Sequence, residues 1–146
     1  MTGIGFLGVL WLLGCGASDP VSTCEPLRVT KDDAPYPLVN LLGVQTNAGF
    51  EVKGFDRAGI RCEDLVAKRY QSRGTTAVVA SVGALSTVGF GSSYEMGIST
   101  VMLEKPKKAG DPISICVQKE VHFSAAGGEA ITIVGLFAGT YCGTRE

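Results

Sequence analysis

The residues of this chain best equipped for chemistry are its five cysteines, Cys15, Cys24, Cys62, Cys116 and Cys142. A thiol can take lipid, form a disulfide, bind zinc or act as a nucleophile. A four-cysteine zinc site is normally built from close Cys-x-x-Cys pairs. Among the last four cysteines the nearest two, Cys116 and Cys142, lie 26 positions apart, and the only histidine is His122. The spacing therefore favours two disulfides among Cys24, Cys62, Cys116 and Cys142, with three possible pairings and an oxidising compartment implied. A nucleophilic cysteine would need one of these thiols left over, and their even number disfavours that.

Other catalytic signals fail one by one. Gly89-Phe90-Gly91 begins like a phosphate-binding Gly-x-Gly-x-x-Gly, but the sixth position is Tyr94 and no helical pattern follows. Neither a Gly-x-Ser-x-Gly nor a Ser-x-x-Lys arrangement occurs. His122, beside Phe123 in a strand-like stretch, reads as a packed or surface residue rather than a general base. The neighbouring acids Asp32-Asp33 and Glu63-Asp64 read as solvated charge. No catalytic residue, no metal ligand and no cofactor is expected. The 13 basic and 14 acidic residues nearly cancel, which argues against a nucleic-acid partner.

The elements that must position these residues read as mainly extended. Glycine is 20 of 146 residues, about double the usual 7%, and with many Val, Thr and Ser it favours strands joined by tight turns. Residues 28–53 read as mostly irregular, with a short strand over Phe50-Glu51-Val52-Lys53. From Asp56 the period becomes helical: Cys62, Leu65, Val66 and Tyr70 fall on one flank, and Arg57, Arg61, Asp64 and Lys68 on the other. Asp56 would cap this helix and Gly74 would end it. The 21 uncharged residues 74–94 are long enough for a membrane span. Their glycines and Ser/Thr content instead suggest a hairpin with Thr76–Val82 and Leu85–Phe90 as arms. A strand over Ile98–Glu104, a polar turn through Lys105–Pro112, alternation at Ile113, Ile115 and Val117, and a strand over Ala130–Phe137 complete the pattern. The expected fold class is α+β, a small antiparallel sheet with one packed helix, stabilised by disulfides. Strand proximity across a turn at Gly127-Gly128 favours Cys116 with Cys142 and Cys24 with Cys62, and the nested pairing of Cys24 with Cys142 and Cys62 with Cys116 is the alternative.

Ahead of all this lies Ile4–Leu13, an apolar run too short to span a bilayer, followed by Leu12-Leu13-Gly14-Cys15. This tetrad resembles the lipobox of bacterial lipoproteins. No Lys or Arg precedes Arg28, so the positive start common in such leaders is missing. The resemblance implies residues 1–14 as a signal peptide, lipidation of Cys15, and a lipidated N-terminus and linker over 15–26. A single globular domain over 27–146 would follow. It also implies membrane lipid as a partner through acylated Cys15, with Gly16 after the cysteine pointing to the outer membrane. The expected function is that of a non-enzymatic structural or protein-interaction component of the cell envelope. The alternative is a lipid-anchored module that binds a small ligand or cell-wall fragment. A weaker third reading has residues 74–94 entering the membrane on oligomerisation.

Overall fold

The computed structural model describes residues 24–67 and 76–145. Ten strands follow the chain: β1 (Arg28–Lys31), β2 (Ala34–Pro35), β3 (Asn40–Thr46), β4 (Gly49–Phe55), β5 (Ala77–Gly83), β6 (Thr87–Phe90), β7 (Ser93–Met96), β8 (Thr100–Glu104), β9 (Pro112–Ser124) and β10 (Ala130–Thr144). One short helix, α1 (Cys62–Val66), lies between β4 and β5. Among the described residues strand accounts for 61% and helix for 4%. This overturns the expected α+β class: the described residues form a β-protein with a single helical turn.

Eight strands in the order β8-β9-β10-β3-β4-β5-β6-β7 form one curled sheet, a half-barrel. All neighbours are antiparallel except β10 and β3, which run parallel. As the sheet curls, its edge strand β8 comes up against β5, and the Thr100 hydroxyl of β8 donates to the Ser81 carbonyl of β5 at 3.0 Å. The concave side is filled by alternate residues of these strands. Val52, Val78, Val88, Ile113, Ile115, Ile133 and Phe137 are fully buried in one core. The opposite faces of β3, β4 and β5 bury a second core of Leu42, Val44, Phe55 and Ala77, closed by Ile60 and by Leu65 of α1.

That second core explains both misread stretches. Strand β3 is covered on its two faces, so Leu41-Leu42-Gly43-Val44 shows no polar alternation, and the sequence looks irregular where a central strand runs. Among the described residues the helical period after Asp56 is satisfied by one turn, Cys62–Val66. Gly59 adopts φ +98, a conformation that stops a helix from running through it. Arg61 occupies the N-cap position, with its backbone N–H donating to the Asp64 carboxylate at 3.0 Å. Asp64 is therefore a buried capping residue rather than solvated charge. Asp56 caps nothing and instead accepts the Tyr36 hydroxyl. Lys68, Tyr70 and Gly74 lie outside the described residues. The uncharged stretch folds as the expected hairpin, with Val78 opposite Phe90 and Ala80 opposite Val88. Among the described residues, no helix is long and apolar enough to cross a membrane.

Candidate functional site

Strand β10 shares one long edge between two partners. Its first half pairs with β1, from Ile131 opposite Lys31 to Val134 opposite Arg28. Its second half pairs with β3, from Thr140 opposite Leu42 onward. Between them the wall forks, and the entering chain fills part of the gap: Pro26 bridges to Leu136, whose N–H donates to the Glu25 carbonyl at 3.0 Å. Two glycines make these approaches possible. A Cβ on Gly135 would lie 2.4 Å from the Pro26 carbonyl oxygen, and one on Gly139 would lie 2.3 Å from that of Leu41.

The fork leaves an open groove of about 540 Å³, lined mainly by Leu27, Val29, Tyr36, Leu38, Leu41, Leu136 and Ala138, with Pro35 and Pro37 alongside. Leu136 and Ala138 reach it because they alternate with Phe137, which points into the barrel. The segment from β2 to β3 crosses the mouth of the barrel and sets one wall. There the Tyr36 ring meets the edge of Phe90 at 5.0 Å between centroids. Its hydroxyl donates to Asp56 at 3.1 Å. Burial, reinforced by that carboxylate, pushes the Tyr36 phenol up to about 12. Arg28 is the one charged residue of the lining, and its guanidinium is held by Glu120 at 2.9 Å and Glu25 at 3.7 Å.

Glu120 also leads into a polar array. Its carboxylate sits 2.8 Å from His122 Nε2, and His122 Nδ1 lies 3.0 Å from the Thr132 hydroxyl. Arg28 chiefly, with His122 beside it, holds the Glu120 carboxyl below the usual range. Hydroxyl, imidazole and carboxylate stand in the order of a hydrolytic triad. However, the imidazole is 65% exposed, and such an array needs water excluded and donors aimed at a developing oxyanion. The arrangement can tie β9 to β10 and anchor Arg28. The hollow of about 480 Å³ that Glu120 and His122 line with Ile98, Ser99 and Lys119 is open to solvent.

Four cysteines are paired, but in neither of the two ways favoured from sequence. Cys24 joins Cys116 with Cα atoms 6.0 Å apart, and Cys62 joins Cys142 at 5.1 Å. The reason is register. A bulge in β9 sets Gly135 opposite Val117, two residues after Ile133 stands opposite Val121. Cys116 consequently faces Leu136, six positions from Cys142 and beside the entering chain. Cys142, on the outer face, packs with Cys62 against the second core. Cys15 lies outside the described residues.

The sequence did not single out the ion group on that outer face. Glu51 accepts from Arg145 at 3.1 Å and lies 3.4 Å from Lys53, with the three side chains 19%, 14% and 10% exposed. Glu51 and Lys53 alternate with Phe50 and Val52, which in a one-layer sheet means solvent; only the second core and the returning C-terminal segment bury them. The groove was equally unmarked, because its residues come from separate stretches at 27–41 and 136–138. Among the described residues no cluster of three metal-ligating side chains occurs. No protein family, no curated protein and no solved structure matches this chain.

Proposed function

We propose that this chain is a lipid-anchored bacterial envelope protein, held at the outer membrane through Cys15, that works by contact with other envelope proteins rather than by catalysis. One surface supports the contact reading. Leu85, Tyr94 and Met96 are 49%, 62% and 56% exposed and surround a single hollow on the β5-β6-β7 face. Strand β7 carries two of them and ends the sheet. Large side chains left in water side by side mark interaction surfaces, and Tyr and Met are enriched in the cores of such surfaces. The barrel interior offers a ligand nothing comparable, because Phe137, Ile113 and Ile115 fill it. A photo-crosslinking side chain in place of Tyr94, in cells bearing the native envelope, should yield a discrete protein adduct that is lost in Met96→Asp. Failure to obtain any adduct counts against the contact reading. The anchor is tested separately: labelled palmitate should enter the wild type and not Cys15→Ser, and label in both proteins or in neither would sink it.

The alternative reading, a lipid-anchored module for a small ligand or cell-wall fragment, draws its support from the groove at the β1/β3 fork, whose volume falls in the range of ligand sites.

A further inference from the structure

We infer that the groove at the fork of β1 and β3 is a membrane-docking surface that receives an acyl chain of the bilayer to which the chain is tethered. The inference rests on the anchoring proposed above. Cys15 stands nine positions before Cys24, so the lipid lies at most about 30 Å of extended chain from the domain. The Cys24–Cys116 disulfide fixes the point of entry on the sheet. One residue later, Glu25 bonds to Leu136, which itself lines the groove. A tether of this reach, ending beside the groove, lets this side of the domain lie against the bilayer.

The chemistry of the lining fits hydrocarbon better than a polar headgroup. Leu27, Leu38, Leu41, Leu136 and Ala138 present carbon. The one cation of the lining, Arg28, is already matched by Glu120 and Glu25, so the groove offers no unbalanced charge to a phosphate. An open apolar trough can take part of an acyl chain without removing it from the leaflet, and each methylene buried adds to the attachment.

The test uses a feature of the sequence. The only tryptophan is Trp11, inside the leader, so a processed lipoprotein has none. The full chain would be expressed with its leader, extracted from membranes as the lipidated protein and reconstituted into phosphatidylethanolamine/phosphatidylglycerol vesicles whose acyl chains carry bromine. Ala138→Trp places one fluorophore in the groove, Leu85→Trp places one on the β5-β6 turn, and Leu27→Trp serves in the groove if the first variant does not fold. The expected result is loss of most Trp emission for Ala138→Trp and unchanged emission for Leu85→Trp. Equal quenching at both positions, or none at Ala138, with Cys15 lipidated, overturns the groove and leaves the anchor standing. Trp11 emission from the unsubstituted membrane-extracted protein shows the leader retained, and overturns the anchor and the groove together.

Discussion

Cys24 and Cys116 are joined across 92 positions with their Cα atoms 6.0 Å apart, so the incoming chain is bolted to a strand paired on both sides and not to the edge of the sheet. Cys116 sits in β9, which pairs on one side with β8 and on the other with β10. Any pull transmitted through the N-terminal segment therefore reaches a central strand without first peeling β1 from β10. Non-reducing peptide mapping should return fragments linking Cys24 to Cys116 and Cys62 to Cys142, and a fragment linking Cys116 to Cys142 would show this register wrong. Replacing either pair by serines should cost about 2–5 kcal/mol in denaturant unfolding, since each closes a long loop in the unfolded chain. The two loops overlap, so the double loss should not equal the sum.

At Gly139 the backbone of β3 comes close to β10. A Cβ there would stand 2.3 Å from the Leu41 carbonyl oxygen and 3.0 Å from the Leu41 Cβ, both parts of a paired central strand that has little room to yield. Gly139→Ala should therefore destabilise by about 1–3 kcal/mol through overpacking, read as a lowered urea midpoint with an unchanged slope. The contrasting variant is Gly97→Ser. Its Cβ would meet nothing within 4 Å, and its cost should come only from the positive φ of 74. A Gly139→Ala protein as stable as the parent would mean that β3 and β10 are not held this closely.

Tyr36 gives the groove wall a spectroscopic handle. Its phenol is shifted to about 12 by burial and by Asp56, and the folded state thus favours the protonated form. The sign follows: the stabilisation is fully present below the ordinary tyrosine value of about 10 and disappears as pH rises through about 12. Tyr36→Phe should cost about 0.5–1 kcal/mol at neutral pH for the lost hydrogen bond, and the sign should reverse in strong alkali, where the folded parent must hold a tyrosinate beside Asp56. An absorbance titration should show a tyrosinate step near pH 12 in the parent that is missing from Tyr36→Phe. Its persistence in the variant would assign the step to another tyrosine.

What could be read from the sequence follows from how many faces each strand hides. The hairpin of β5 and β6 and the alternation at Ile113, Ile115 and Val117 were legible because short polar turns bound them and only local pairing matters. Strand β3 was not legible, since both of its faces are buried and its pattern collapses into a run. The disulfide partners depended on the bulge opposite Ile133 and Gly135, which leaves no mark in composition or spacing. The groove depended on the parallel contact of β10 with β3, a long-range pairing that no local pattern encodes. Asp64 shows the same limit at one residue: beside Glu63 it looks like surface charge, and only the fold turns it into a buried cap.

The ion group around Glu51 makes an asymmetric prediction. One carboxylate serves two cations, Arg145 at 3.1 Å and Lys53 at 3.4 Å, on a face where all three side chains are largely shielded from water. Glu51→Gln removes the charge that both share and leaves the shielded Arg145 guanidinium without its carboxylate, which should cost about 2–3 kcal/mol. Arg145→Met should cost less. It leaves Glu51 beside Lys53, keeps aliphatic cover over the second core, and removes a guanidinium nitrogen, Nη1, that is buried without a hydrogen-bond partner among the described residues. The combined variant should be less damaging than the sum of the two, because once Arg145 is Met the Glu51→Gln change no longer strands its guanidinium. Chemical denaturation of the four proteins at neutral pH measures the cycle directly. Equal costs for the two single variants, or strict additivity, would show that Glu51 and Arg145 do not act as a pair and that this face is more open to water than the structure has it.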